Sequence, residues 1–468
     1  MTARNRIKMF ADRQLNKDLV RLALPIAFQY LMLALVAVAD AFMLGVIDAD
    51  KMSAVSLATQ YQFIENMILS SAISAFSILG AQYWGKKDRK TFDEVFAIGM
   101  RISGIVCILF FAGCFFFPRP LMFLFTNETT LIDIGEGYLK IASFSYLLTG
   151  ISQCYLSLMK VTEHASPVAG ISTTTVLLNI LLNGILIFGW FGVPAMEERG
   201  AATATLISRI VELILCLIVL SRKSFYRPSF RALFRFVPRL EKDYYRCFLP
   251  LVGASLLWGI GFTSYSSFMG HLGLDVAAAN SVTAVVRDLV CCLCNGLAAG
   301  GGVIIGFSLG RGELELGKTQ GIRIAKMAFF CGFLSTLIML IFTPALMAFV
   351  KLSDEGRKYL LWFMLVMAFY MIGRAVNTVV INGIVSAGGD TLFDGISLTV
   401  TMWGIAIPLA VLGTYIFHWS PVIVYACTCI DEVGKIPWVM YHFRKYKWVK
   451  DLTRERVLTD TGESVIAE

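Results

Sequence analysis

The chain has 468 residues, of which 57% are hydrophobic and only 16% charged, with a formal net charge of +8 and a mean hydropathy of +0.70. A soluble domain averages about 45–50% apolar and about 25% charged residues. The composition therefore excludes a disordered chain, a collagen-like fibre and a small disulfide scaffold, and argues against a soluble enzyme of this length. The class that remains is a polytopic membrane protein.

The first 18 residues are polar and basic, and the first apolar run is too long for a cleaved signal core. A spanning helix needs about 20 apolar residues. Twelve such runs follow in order, at 19–46, 54–81, 95–117, 134–158, 165–190, 201–220, 246–270, 277–309, 321–350, 358–386, 393–417 and 420–443. They are solidly apolar and do not alternate, which excludes a transmembrane β-barrel. The surplus length of several runs is absorbed by tilt or by extension beyond the bilayer. Ten of the cysteines lie in apolar stretches, where a free thiol behaves as a small hydrophobe.

Lys and Arg set the direction. With the N-terminus inside, thirty basic residues fall on the inner side, seven fall outside, and four (Arg209, Arg287, Arg374 and Lys435) fall within spans. Both termini are therefore expected in the cytoplasm of a multi-pass cell-membrane protein. The net charge then faces anionic lipid, and no nucleic-acid partner is needed to explain it. The basic linker at 221–245 divides a first lobe (1–220, six spans) from a second (246–443, six spans), and 444–468 reads as a cytoplasmic tail. The linker's Phe and Arg spacing fits either a segment lying on the membrane surface or a solvated connector.

The halves repeat. A gapless shift of 225 residues lays Arg21-Leu22-Ala23-Leu24-Pro25 on Arg246-Cys247-Phe248-Leu249-Pro250, Gly45 on Gly270 and Gly85 on Gly310. With a small drift, Glu212 meets Glu432. Six spans per half make these parallel repeats, an arrangement used by secondary transporters. The expected fold is all-α, with twelve transmembrane helices in two pseudo-symmetric six-helix lobes around a central cleft. No Walker A loop is present, so an ion gradient is the expected energy source. No catalytic constellation stands out, and an enzyme is not expected.

Several segments together resemble one family. The first span reads LALPIAFQYLMLALVAVADAFMLG (Leu22 to Gly45), with an early Pro25 and a late Asp40. The second ends in AQYWGKKD (Ala81 to Asp88), the fifth reads LLNILLNGILIFG (Leu177 to Gly189), and the sixth begins GAATATLISR (Gly200 to Arg209). The second half carries AGGDT (Ala387 to Thr391), and Trp403 before Ile407-Pro408. In order and spacing these segments resemble the MATE (multidrug and toxic compound extrusion) transporters across nearly the whole chain. The resemblance implies export of amphipathic, often cationic, drugs or metabolites in exchange for protons or sodium. It also implies a V-shaped molecule of two lobes. The expected partners are a small-molecule substrate and the lipid bilayer, for a chain acting as a monomer without a cofactor.

Asp40 leads the candidate residues. An ionised carboxylate in a span costs a few kcal/mol, so such residues face a cavity or a partner. It sits six residues from the outer end of its span, about 9 Å down. Asn183 lies at a similar depth, Asn179 one turn deeper on the same face, and Thr203 near the start of the sixth span. Their oxygens suit sodium, and a desolvated carboxylate can instead take a proton. The resemblance implies that Asp40, Asn179, Asn183 and Thr203 form the cation site. Several relatives carry aspartate at the position of Asn183, so this chain has one charge fewer there. The asparagines also read as interhelical glue. No metal beyond a sodium ion at Asp40 is expected.

Glu65, Asp288 and Glu432 are further acids in spans, and Glu65 could share a proton with Asp40 or pair within its lobe. The seventh span (LPLVGASLLWGIGF) lacks the glutamate that some relatives use for a second cation site, leaving Asp288 or Glu432 as substitutes. Tyr61, Trp258, Tyr265, Met269 and Trp403 are candidate cavity-lining residues, since methionine adapts to varied ligands and aromatic faces attract cations. The rival reading is a lipid-linked oligosaccharide flippase of related architecture. Such proteins usually need a strongly basic cavity, which four basic residues in spans do not supply.

Overall fold

The computed structural model describes residues 12–47, 49–350, 352–458 and 464–466, without side chains at 37, 40–42, 44–47, 49, 349 and beyond 455. Nearly all of it is helix. The first half comprises α1 (Arg13–Ile47), α2 (Ala49–Lys86), α3 (Arg89–Phe116), a short α4 (Pro118–Phe123), α5 (Thr129–Val161), α6 (Ala165–Phe188) and α7 (Glu197–Ser221). The second comprises α8 (Pro238–His271), α9 (Leu274–Gly310), α10 (Leu314–Phe349) and α11 (Asp354–Asn377), which widens into a π-type turn at Thr378–Val385. Next come α12 (Leu392–Leu398) and α13 (Ile407–Val411), joined by a π-type turn into one run ending at Ile416. Last are α14 (Pro421–Thr428), α15 (Ile430–Val433) and α16 (Ile436–Arg444).

Among the described residues, ten helices are long and apolar enough to cross a membrane. The remaining two runs read from the sequence are α5 and the interrupted stretch Pro421–Arg444. Many of these helices hold large apolar side chains outward, among them Ile105, Leu109, Leu177, Phe333, Ile341 and Phe369. In water such a surface would aggregate; in a bilayer it is the lipid-facing side. Pro25 and Pro250 lie inside α1 and α8 at the repeat spacing.

The chain packs as two compact units. The first consists of Phe28–Phe76 and Asp93–Arg235. The second takes the described residues up to Ala27, Ser77–Phe92, and the described residues from Phe236 onward. The division passes through the interior of α1 and α2 as well as through the linker, so the start of α1 and the end of α2 pack with the second half. The first unit is built around Tyr61, Cys114, Met122, Tyr138, Tyr146 and Ile187. Its α6 ends on Gly189, whose φ of 75° is a left-handed cap that a side chain would strain.

In the second unit the end of α2 crosses the end of α9 at backbone distance. A Cβ on Gly310 would run into the carbonyl oxygen of Gln82, and one on Gly85 into that of Phe307. A Cβ on Gly306 would lie 2.7 Å from that of Ala81. The 225-residue shift that lays Gly85 on Gly310 also lays Gln82 on Phe307 and Ala81 on Gly306. Each helix thus presents its glycine to the repeat-equivalent site on the other, a two-fold crossing. Close approach of small residues is how helices associate where no hydrophobic drive separates protein from lipid.

The tail folds back on the second unit. Trp448 is fully buried, Gln82 Oε1 accepts the Leu452 N–H at 2.6 Å, and Arg454 grips Asp243 through Nε (2.5 Å) and Nη2 (2.9 Å). Beyond it, Arg456–Leu458 (β1) pairs antiparallel with Ser464–Ile466 (β2). At the other terminus Asp12 caps α1. Its Oδ1 accepts the Gln14 and Leu15 N–H groups at 3.0 Å each, and Oδ2 accepts from Arg323 at 2.7 Å. The Leu15 N–H first, then the Arg323 guanidinium, hold this carboxyl below the usual aspartate range. A depressed folded pKa means the stabilisation is complete above the ordinary aspartate value and is lost as pH falls through the folded one. Asp12→Ala should cost about 1 kcal/mol at neutral pH. Thermal unfolding in detergent at descending pH should show the difference from wild type vanish in acid.

Candidate functional site

The first unit holds a chain of polar groups on α6 and α7, buried on α6 and half-buried on α7. Asn179 and Asn183 are four residues apart on α6, so they share a face, and both are buried. The Asn183 amide donates to Asn179 Oδ1 at 3.2 Å, and the Asn179 amide donates to Thr205 Oγ1 at 3.5 Å. Thr203 hydrogen-bonds backward instead, giving its hydroxyl to the Arg199 carbonyl at 2.8 Å. The threonine joined to the asparagines is therefore Thr205, which the sequence did not single out. Asp40 lies on α1, and its side chain is outside the described residues.

Glu65 on α2 is fully buried, and neither carboxylate oxygen has a hydrogen-bond partner among the described residues. The Cys107 thiol of α3, at best a weak donor, lies beside it, and Arg209 of α7 acts on it only through its charge. Arg209 is already engaged, since its Nη1 lies 2.6 Å from Glu212 Oε2. The other oxygen of Glu212 accepts from Ser152 at 2.7 Å. Glu212 is thus a satisfied acid and Glu65 an open one. A buried anion without donors is costly, and a proton or a small cation removes that cost.

The second unit repeats this contrast. Glu432 accepts from Arg374 at 2.8 Å and from the Asn377 amide at 2.6 Å, and lies 3.3 Å from Lys435 Nζ. The 225-residue shift lays Ser152 on Asn377, so the same helix position supplies the donor to the duplicated glutamate in each half. Removing one member of such a network strands a buried charge. Arg374→Ala should cost about 3 kcal/mol. It should lower the thermal midpoint in detergent, with Arg374→Lys falling between.

Of the acids named from the sequence in this half, Glu432 is saturated. Asp288 points outward, 60% exposed, held by Arg287 Nε at 2.9 Å and Nη2 at 2.8 Å. The open acid is Asp431, which is buried. Its Oδ2 accepts from the Tyr265 hydroxyl at 3.3 Å, while Oδ1 has no hydrogen-bond partner among the described residues. The sequence places Asp431 among the acids in spans, next to Glu432, and neighbours on a helix point about 100° apart, so the two meet different surroundings.

The aromatic candidates separate into two groups. Trp258 stacks on Phe262 with centroids 5.2 Å apart; Arg374 lies 5.8 Å over the Trp258 ring and Arg287 4.4 Å over Phe262. Trp403 donates its indole N–H to the Leu257 carbonyl at 3.2 Å. These residues and Tyr265 belong to the second unit's charged and aromatic cluster. Tyr61 and Met269 instead pack inside their own units. Tyr61 gives its hydroxyl to the Leu121 carbonyl at 2.8 Å and meets Phe125 edge-on at 5.4 Å, and Met269 is 1% exposed.

The geometry can be set beside known proteins. The chain is 23% identical over 463 residues to a probable multidrug resistance protein NorM of Thermotoga maritima, covering 95% of this chain and 96% of that one. It is 20% identical over 409 residues to the uncharacterized transporter YisQ of Bacillus subtilis, covering 87% and 89%. Among solved structures it matches a MATE protein in complex with MaL6 at a TM-score of 0.84 and 17% identity, covering 95% and 100%. It matches the Vibrio cholerae MATE transporter VcmN in its bent form at 0.81 and 15%, covering 94% and 99%. The MatE family model matches twice, at residues 25–185 and 250–412, the two matches starting at the repeat spacing. With both halves matched in this way, the chain belongs to the MatE family of multidrug and toxic compound efflux transporters.

Proposed function

We propose that this protein is a secondary active antiporter. It exports amphipathic, often cationic compounds in exchange for protons or sodium by alternating access. Asp40 carries the coupling cation with Asn179, Asn183 and Thr203, and Thr205 orients the asparagines. The setting is the cell membrane with both termini cytoplasmic, and the working unit is the monomer. The observation that carries the ion-coupled reading is the open buried acid in each half. Glu65 and Asp431 keep unsatisfied oxygens beside the fully bonded Glu212 and Glu432. Coupling requires that charge uptake at such a site differ in free energy between the two conformations. The coupled cation and the substrate must prefer different conformations for exchange to occur.

The test is transport by the full chain in proteoliposomes, with proton and sodium gradients imposed separately and a panel of organic cations as substrates. Substrate flux driven by one of the two gradients is the expected result. Absence of flux under both, with protein correctly inserted, rejects the reading.

A further inference from the structure

The segment between α7 and α8 does not span the membrane, yet it is held firmly. The Tyr226 hydroxyl donates to Asp93 Oδ1 at 2.8 Å, and the Ser229 N–H donates to Asp93 Oδ2 at 3.2 Å. Arg235 lies 3.5 Å from Glu94, and Arg101 donates to the Arg235 carbonyl at 3.1 Å. Phe225 packs on His164 with centroids 4.5 Å apart. Arg227 returns to the last carbonyls of α7, those of Leu220 and Ser221. These contacts all lie within the first unit, so the segment has a fixed posture against the start of α3 and the end of α7.

What that posture exposes is specific. Phe230–Phe234 forms a single tight helical turn with Ala232 facing in. Phe230 and Phe234 face out, 71% and 73% exposed, with rings in edge contact at 5.7 Å. Arg222, Lys223 and Arg231 of the same segment are also exposed, and residues 221–240 contain no acid. The outward face of α7 leads into this patch with Ile214, Leu217 and Ile218, each about half exposed. Two exposed aromatic rings in a basic, acid-free segment that follows a lipid-facing helix match the acyl–headgroup boundary of an anionic leaflet. A water-facing connector of the same length would have no use for two adjacent bare phenylalanines.

We infer that residues 222–235 form a membrane-surface anchor. Phe230 and Phe234 enter the headgroup boundary, while Arg222, Lys223 and Arg231 bind anionic lipid phosphates. Asp93 and Glu94 hold the segment in position, so the first unit is tethered to one leaflet at this corner.

The test uses the full chain in nanodiscs of phosphatidylcholine alone or with added phosphatidylglycerol. A nitroxide on Phe234→Cys reports depth through its collisions with oxygen and with a water-soluble nickel chelate, and the wild-type chain supplies the labelling background. With phosphatidylglycerol, nickel collisions should fall about threefold and oxygen collisions rise. Combined R222A, K223A and R231A substitutions should remove the lipid dependence. Hydrogen exchange of residues 225–236 in the unsubstituted protein should slow in the same lipid, a readout independent of the label. A water-exposed label in both lipids, equal immersion in both, or protection arising only on binding a soluble acidic protein would each overturn the proposal.

Discussion

Asp40→Asn should abolish gradient-driven export while leaving a folded protein. Asparagine matches aspartate in shape and keeps a hydrogen-bonding oxygen, but it cannot alternate between charged and neutral states. If Asp40 carries the coupling cation, the free energy linking cation to substrate disappears with the charge, and each 1.4 kcal/mol of lost coupling is about a factor of ten. Substrate flux under the driving gradient should fall at least about tenfold, with the thermal midpoint in detergent near that of wild type. The open acid of the same half makes the experiment discriminating. Glu65 is fully buried on α2, so Glu65→Gln is the companion variant. Full gradient-driven flux in the Asp40 variant together with its loss in the Glu65 variant would move the coupling role to α2.

Gly310→Ala should be among the most destabilising single-methyl additions available in this chain. The added Cβ would fall on the Gln82 carbonyl, with that residue's Cα 2.5 Å away. Both obstacles are backbone, so no side chain can rotate aside and the two helices must separate. Overpacking usually costs about 1–3 kcal/mol, and a backbone collision belongs at or above the top of that range. Gly85→Ala meets the repeat-equivalent obstacle, the backbone of Phe307, whose Cα lies 2.7 Å from the new Cβ. The two substitutions should therefore lower the thermal midpoint in parallel, and together by less than the sum, because one separation relieves both clashes. Gly104→Ala on α3, where no atom beyond its own stretch of helix lies within 4 Å of the added Cβ, is the control and should change little.

The placement of the acids shows how site assignment depends on rotation. In the second half the sequence places three acids in apolar runs, Asp288, Asp431 and Glu432, and the candidates named from it are Asp288 and Glu432. The structure surrounds Glu432 with three donors and turns Asp288 outward, leaving Asp431 with an open oxygen. The same applies to Thr203 and Thr205. Both lie in the GAATATLISR stretch, but only Thr205 meets Asn179. The sequence contains no mark separating them, since the difference is a rotation of about 200° around one helix axis.

The amino-acid sequence by itself determined the spans, their repeat and the family, because those follow from local properties: apolar run length, Lys and Arg bias, and residue types recurring at a constant separation. It even carried the α2–α9 crossing in latent form, as Gly85 and Gly310 at a shift of 225. Only the tertiary structure decided that those glycines press on each other's helices, that Trp448 draws the tail back into the protein, and that Glu65 and Asp431 are the acids left unsatisfied. The physical reason is that burial and hydrogen bonding of a side chain depend on which neighbour its helix face meets. In a chain apolar on nearly every face, no local pattern records that orientation.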